Sequence, residues 1–207
     1  DGYLELLVSG YGSSGVGTVS SGRGVLLVYP NGPSGLEAPQ ILIRHSSDTT
    51  MDAVSIDMDG DGRLDILTVE EASPNHRLRW ARNLGGLEFG PQWQVLSLPG
   101  SNRPFRALVT GDIDGDGHED ILSGQFGTVG WRPNLGSSVG FGPLRALSFA
   151  GSTSVKSFHL VDLDGDGDLD IVRSVIPDHG GSVFSGAILH ENNGSGNFSA
   201  ARTLWLT

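Results

Sequence analysis

The sequence predicts an all-β protein assembled from four repeated units, and three observations predict it. An acidic loop recurs, its central aspartate falling at Asp1, Asp61, Asp116 and Asp166, so the repeats lie 60, 55 and 50 residues apart. Short apolar runs flank every loop, and none carries the i, i+3, i+4 periodicity of a helix. The 32 glycines and 10 prolines punctuate these runs at regular intervals, as turns punctuate strands.

The loop itself reads D-M-D-G-D-G-R-L-D from Asp57 to Asp65, D-I-D-G-D-G-H-E-D from Asp112 to Asp120 and D-L-D-G-D-G-D-L-D from Asp162 to Asp170. Carboxylates stand at positions 1, 3, 5 and 9, glycines at 4 and 6. Two carboxylates brought to ~5 Å repel by roughly 3 kcal/mol at an effective dielectric near 20, so such a loop calls for a cation. Oxygen donors at alternating positions, with a backbone carbonyl at position 7, suit a hard ion with six to eight ligands, which favours calcium over magnesium. An EF-hand shares the opening of the motif. It requires a bidentate Glu at position 12, where Thr68, Ser123 and Arg173 stand, and a helix downstream, where Ile66-Leu67, Ile121-Leu122 and Ile171-Val172 open β-like runs. A solvated acidic turn accounts for one copy but not for three with identical spacing. A half-loop opens the chain: D-G-Y-L-E-L-L superimposes on D-G-R-L-D-I-L, placing Asp1 at position 5 and Glu5 at position 9. This predicts a natural polypeptide that extends upstream.

Each unit repeats the same order of elements. An apolar run precedes the loop (53–56, 107–110, 158–161) and another follows it (4–8, 66–69, 121–123, 171–176). A Gly/Ser/Pro-rich connector leads to a third run with an aromatic or His and an Asn-containing turn (26–31, 78–83, 129–134, 188–193). A fourth run closes the unit (40–43, 93–98, 144–149, 202–206). Four short strands per 50 to 60 residues is the pattern of a propeller blade, whose two apolar faces are buried by its neighbours. Blades are expected at 1–50 (starting inside its calcium loop), 51–104, 105–154 and 155–207, about four in all and part of a larger propeller. Asn31-Gly32 and Asn193-Gly194 are hairpin signals between the third and fourth strands.

The formal net charge of −11 comes largely from these loops. It excludes nucleic acid as a partner, since no basic patch remains to neutralise phosphates. With no cysteine, metal takes the stapling role that disulfides have elsewhere. No apolar run reaches the length of a membrane span. No zinc-type His/Cys spacing, G-x-S-x-G or phosphate loop is present.

The D-x-D-G-D-G-x-x-D-I-L loops, followed by W-x-x-N-L-G or H-E-N-N-G-S-G-N-F, resemble the FG-GAP/VCBS repeats of integrin α-chain propellers and many secreted propellers. The resemblance covers essentially the whole chain. It implies that the loop joins the first and second strands of each blade, and that calcium is held by Asp57, Asp59, Asp61, the Arg63 carbonyl and Asp65. The equivalent sets are Asp112, Asp114, Asp116, the His118 carbonyl and Asp120, then Asp162, Asp164, Asp166, the Asp168 carbonyl and Asp170. The first unit keeps only Asp1, the Tyr3 carbonyl and Glu5, a partial fourth site.

Trp80 and Trp131 are read as equivalent third-strand residues, with Tyr29 and His190 in the other units, and packing between blades is favoured over a sugar platform. Asn193 and Asn197 head N-glycosylation triplets in an exposed hairpin. Together these features point to a non-enzymatic, extracellular, calcium-stabilised propeller acting in adhesion or as a structural and protein-interaction module. Its open edges are expected to take further blades or another chain of the same kind. The alternative is a carbohydrate-binding lectin propeller, and a polysaccharide-cleaving enzyme ranks third, for want of a catalytic constellation.

Overall fold

A computed structural model describes residues 6–11, 24–29, 31–32, 34–38, 40–44, 49–71, 76–85, 88–91, 93–98, 105–125, 128–136, 140–147, 154–176 and 186–206. Asp1, Tyr3 and Glu5 of the half-loop lie outside them. Among the described residues every regular element is a β-strand. The chain divides into two units, 1–55 with 65–102 and 56–64 with 103–207.

In the first unit, β1 (Leu6–Tyr11) and β2 (Gly24–Tyr29) are followed by a short hairpin, β3 (Asn31–Gly32) with β4 (Gly35–Leu36), and by β5 (Gln40–Arg44). The sheet order is β1-β2-β5. Next come β6 (Thr49–Ile56), β7 (Asp65–Glu71), β8 (His76–Ala81), the short pair β9 (Asn83–Gly85) and β10 (Glu88–Phe89), and β11 (Trp93–Leu98). They give a four-stranded sheet ordered β11-β8-β7-β6.

The second unit holds two more four-stranded sheets, each antiparallel and in sequence order. One runs through β12 (Phe105–Gly111), β13 (Asp120–Gln125), β14 (Thr128–Arg132) and β15 (Arg145–Leu147); the other through β16 (Ser154–Val161), β17 (Asp170–Ile176), β18 (Gly186–His190) and β19 (Arg202–Leu206). All-β meanders of this kind are the blades of a β-propeller, and the acidic loop joins the first strand to the second in each of the last three sheets. β-branched and aliphatic residues open every second strand: Ile66-Leu67, Ile121-Leu122, Ile171-Val172. In the first two pairs both consecutive residues are buried, so both faces of those strands are covered. Ile66, Leu67, Ile121, Leu122 and Ile171 are all buried.

Strand pairing corrects one equivalence drawn from the sequence. Trp80 lies opposite Leu67 and Trp131 opposite Leu122, but the residues facing Leu7 and Val172 are Val28 and Leu189. Tyr29 and His190 face Leu6 and Ile171 instead, the register of Ala81 and Arg132. A one-residue slip moves a side chain to the other face of a strand, so the histidine and the tryptophans do not share a role. The same count makes Asn192, not Asn193, the partner of Asn83 and Asn134. Each unit then repeats one further device, a small ladder from this asparagine: Asn31 to Leu36, Asn83 to Phe89, Asn134 to Phe141 and Asn192 to Phe198.

The core of the second unit forms where its two sheets meet. Ile113, Leu122, Val129, Trp131, Phe158 and Ile171 make one buried cluster, with Val109, Leu147, Leu160 and Phe198 packed around it. Two glycines set how closely the sheets approach. A Cβ on Gly124 of β13 would fall 2.4 Å from Phe158 of β16, and one on Gly196 would fall 2.0 Å from the Trp131 ring. Trp131 is fully buried and donates its indole N–H to the Gly196 carbonyl at 3.2 Å. Trp80 is buried as well, so both indoles serve packing rather than an exposed platform. Loop position 2 is a knob in this scheme. Ile113 is 1% exposed within the shared cluster and Met58 is equally buried, whereas Leu163 is 47% exposed.

Gly124→Ala therefore tests the packing directly, because its backbone does not need glycine and only the space is missing. We expect a loss of about 1–3 kcal/mol, read as a lower midpoint in urea, with Phe158→Leu in the same chain recovering part of it. Equal midpoints for wild type and Gly124→Ala would contradict the described contact.

Candidate metal centre

Each loop is shaped by its own side chains. The position 1 carboxylate turns inward and accepts backbone N–H groups from the glycine-rich stretch. Asp57 accepts from Gly60 at 2.9 Å, Asp61 at 3.1 Å and Gly62 at 2.9 Å. Asp112 accepts from Asp116 and Gly117, both at 3.0 Å, and Asp162 from Gly165 at 2.7 Å and Gly167 at 3.1 Å. This wrapping needs positive φ at positions 4 and 6, and all six glycines there have it, between 72° and 97°. The position 5 carboxylate takes the N–H of position 7: Arg63 to Asp61 at 3.0 Å, His118 to Asp116 and Asp168 to Asp166 at 2.9 Å.

The position 9 aspartate has a different task. Asp65, Asp120 and Asp170 are all completely buried. One oxygen of each accepts the backbone N–H of the asparagine two residues beyond the third strand, Asn83 at 2.7 Å, Asn134 at 2.8 Å and Asn192 at 2.9 Å. The other oxygen of Asp120 holds Ile113 N–H at 2.9 Å, and that of Asp170 holds Leu163 N–H at 3.1 Å. That of Asp65 accepts the Trp80 indole N–H at 2.8 Å. These aspartates fasten the loop to the end of the third strand.

Three groups of carboxylates result, each with ligand atoms within 4.8 Å of one another: Asp57, Asp59 and Asp61; Asp112, Asp114 and Asp120; Asp162, Asp164 and Asp166. Asp65, Asp116 and Asp170 lie outside these groups. Arg63 turns its guanidinium onto Asp61, while Arg145, stacked 4.4 Å from the Trp131 centroid, reaches within 3.8 Å of Asp114. Asp168 lays its carboxylate against Gly194. Asn193 and Asn197 are exposed, and the Asn193 side-chain Oδ1 accepts from Ser195 N–H at 3.2 Å and Asn197 N–H at 3.3 Å.

The donor set fits a hard divalent cation. It is oxygen throughout, and the Asp114 Oδ1 is buried with no hydrogen-bond donor facing it. Electrostatics agree. Burial, then the charge of Asp116, pushes the Asp114 carboxyl up from its ordinary value, although Arg145 opposes this. Asp120 is pushed up to about 6, chiefly by burial, against the hydrogen bonds from Asn134 and Ile113. Glu119, to which the sequence reading gave no role, is half-buried at position 8. Its carboxyl is also raised, by burial and by Asp57, with the Thr110 hydrogen bond opposing.

Four-stranded meanders with a carboxylate cluster between their first two strands define a propeller-type repeat protein with candidate cation loops. The chain belongs to the FG-GAP-like repeat family, which matches residues 57–123 and 112–173, together more than half of its length. Among curated protein sequences none matches it. Among solved structures it is similar to an Agrocybe aegerita lectin, described for specific recognition of non-reducing terminal N-acetylglucosamine, at 20% identity and a TM-score of 0.49. That likeness covers 89% of this chain and 63% of the lectin, so the chain spans less than two thirds of that protein.

The raised carboxyl of Asp120 fixes a sign. Its folded pKa exceeds its unfolded one, so its contribution to stability is present below about 4 and is lost as pH rises through about 6. In chelator, wild type should gain stability relative to Asp120→Asn as pH falls from 7 to 5. The comparison cancels His190, whose pKa is lowered first by burial and acts the opposite way. A difference in melting temperature that stays flat with pH would refute this.

Proposed function

We propose that this chain is a non-enzymatic, extracellular propeller module in which calcium holds the acidic loops, serving adhesion or protein interaction. The observation that carries the reading is the threefold gathering of carboxylates, each group within 4.8 Å, on loops with the same internal hydrogen bonding. Asp57, Asp59 and Asp61 would hold one ion, Asp112, Asp114 and Asp120 a second, and Asp162, Asp164 and Asp166 a third, with the backbone carbonyls of Arg63, His118 and Asp168 as further donors. Bound calcium would supply positive charge where these carboxylates otherwise repel. The protein's own part is to pre-shape the ligand set through position 1 and to anchor it through position 9.

The non-enzymatic reading is supported by the engagement of these acids. Position 1 is occupied by loop N–H groups, and position 9 is fully buried, out of reach of a substrate. Extracellular placement is supported by mass action. For a Kd of ~10⁻⁵ to 10⁻⁴ M, millimolar calcium contributes roughly 1.4 to 2.7 kcal/mol per site, whereas sub-micromolar cytosolic calcium contributes almost nothing. Asn193 and Asn197 are accessible for the glycans such a location permits. The exposed Leu163, whose equivalents are buried, supports another blade of the same kind on that face.

Three outcomes are expected. Chelation should lower the melting temperature by many degrees, calcium should restore it better than equimolar magnesium, and Asp114→Ala should forfeit about one site's share. Unchanged melting with ions shown to be removed would sink the calcium reading. Leu163→Glu should abolish self-association of this chain in sedimentation, and wild type that stays monomeric at high concentration would exclude that face. A glycan array should show no ligand; a single reproducible hit would move the assignment to lectin.

A further inference from the structure

We propose that Asn192 couples the loops 112–120 and 162–170, so that a cation held in one raises the affinity of the other, while the loop 57–65 stands outside this hydrogen-bonded bridge. This rests on reading the loops as calcium sites.

Asn192 is 6% exposed, and its whole amide is committed. Its backbone N–H goes to Asp170 Oδ1 at 2.9 Å. Its side-chain Nδ2 donates to two carbonyls in different loops, Ile113 at 2.8 Å and Leu169 at 3.1 Å. Its Oδ1 accepts Asn193 N–H at 2.9 Å. One rigid, buried group thus touches the loop of its own sheet at two points and crosses to the loop of the preceding sheet.

What it grips there matters. The peptide of Ile113 is held at both ends, its N–H by Asp120 at 2.9 Å and its carbonyl by Asn192. Asp114 is the next residue, and Asp112, Asp114 and Asp120 form the carboxylate group of that loop. On the other side, Asp170 bonds both Asn192 N–H and Leu163 N–H, the first residue after Asp162. A cation that draws either set of carboxylates together therefore fixes Asn192, and a fixed Asn192 leaves less to order at the second loop. Groups that orient ligands without touching the ion govern affinity in this way, and ordering shared by two sites appears as positive coupling.

The preceding sheet supplies an internal control. Asn134 occupies the same register, bonds Asp120 through its N–H at 2.8 Å and accepts Gly136 N–H at 3.0 Å. Its Nδ2, however, is buried with no acceptor. The bridge that Asn192 builds between two loops is not built by Asn134, so coupling through this asparagine is confined to one pair.

The test uses calcium isotherms on the full chain. Asp59→Ala, Asp114→Ala and Asp164→Ala each disable one loop, so double variants leave single sites whose affinities can be read alone. With Asn192 present, the loop 112–120 should bind about fivefold more weakly when Asp164→Ala disables its neighbour. In Asn192→Leu, which keeps the volume and removes the donors, both loops should weaken by about tenfold, Asp164→Ala should add nothing further, and 57–65 should be unchanged. Equal loss at all three loops, or an affinity for 112–120 indifferent to Asp164→Ala in the wild-type background, would overturn the proposal. Should Asn192→Leu not fold, hydrogen exchange decides. Calcium added to Asp114→Ala, filling 162–170, should slow exchange at Ile113, Asp116 and Gly117, and unaltered rates there count against coupling. Three independent sites in wild type would sink the coupling alone, whereas no calcium uptake at all would sink the reading of the loops.

Discussion

A carboxylate with no exposed surface, repeated at Asp65, Asp120 and Asp170, is the constraint on which the rest of this structure depends. Removing such a group from water costs several kcal/mol unless hydrogen bonds replace the lost hydration. Here they come largely from the backbone: each aspartate receives the N–H of the asparagine two residues beyond the third strand. Those charge-assisted bonds tie three pieces of one sheet, the loop and its second and third strands, to a single point. The raised pKa of Asp120 shows the balance to be incomplete, since two backbone donors do not offset burial beside Asp114 and Asp116. The loop 112–120 is thereby left with a demand for positive charge. Its position is fixed, and its electrostatics are not satisfied from within.

That anchoring has a consequence for how sheets meet. Once Asp120 and Asp170 fix their loops, the knob at position 2 is aimed at the neighbouring sheet, as Ile113 is toward Phe158 and Ile171. The neighbour answers with small residues where rings must enter. Gly124 admits Phe158, and Gly196 lies on the face of Trp131. The acidic loop and the apolar core are thus parts of one joint, with the position 2 side chain packing between two carboxylates in the loop 112–120.

Much of this was legible because the motif repeats. Three copies of D-x-D-G-D-G-x-x-D locate the junction of first and second strands without any propensity argument, and apolar runs on either side then place β6, β7, β12, β13, β16 and β17. The third strands were less legible. Aromatic type alone aligns His190 and Tyr29 with Trp80 and Trp131, whereas the register counted from the loop gives Leu189 and Val28. In the last unit Asn192 and Asn193 are adjacent, and the N-G dipeptide marks Asn193 although Asn192 holds the equivalent register. Nothing in the sequence could show that Gly124 lies under Phe158. That contact joins residues of different sheets, and glycine at a strand position reads equally well as a weak point or a close approach. The division of labour among the four aspartates was hidden too, because type and spacing are the same for a residue that caps a turn and one that is buried as an anchor.

The loops also bear on what kind of dependence on a cation such a protein has. In small zinc domains the metal creates the fold, since the ligands have no other reason to converge. Here convergence has local causes. Asp57, Asp112 and Asp162 wrap the glycine-rich backbone around themselves, and the position 9 aspartate is held by the sheet. A site whose ligands are already ordered spends little of its binding free energy on ordering, so more of it appears as affinity. The residual strain is repulsion among carboxylates, which acts chiefly within each loop, with Asp57 also felt by Glu119 of the next one. Under the proposed calcium reading, loss of a cation would weaken the sheets by increments rather than dissolving them at once. The core of Ile113, Leu122, Trp131, Phe158 and Ile171 remains as the part of the joint that no ion supplies.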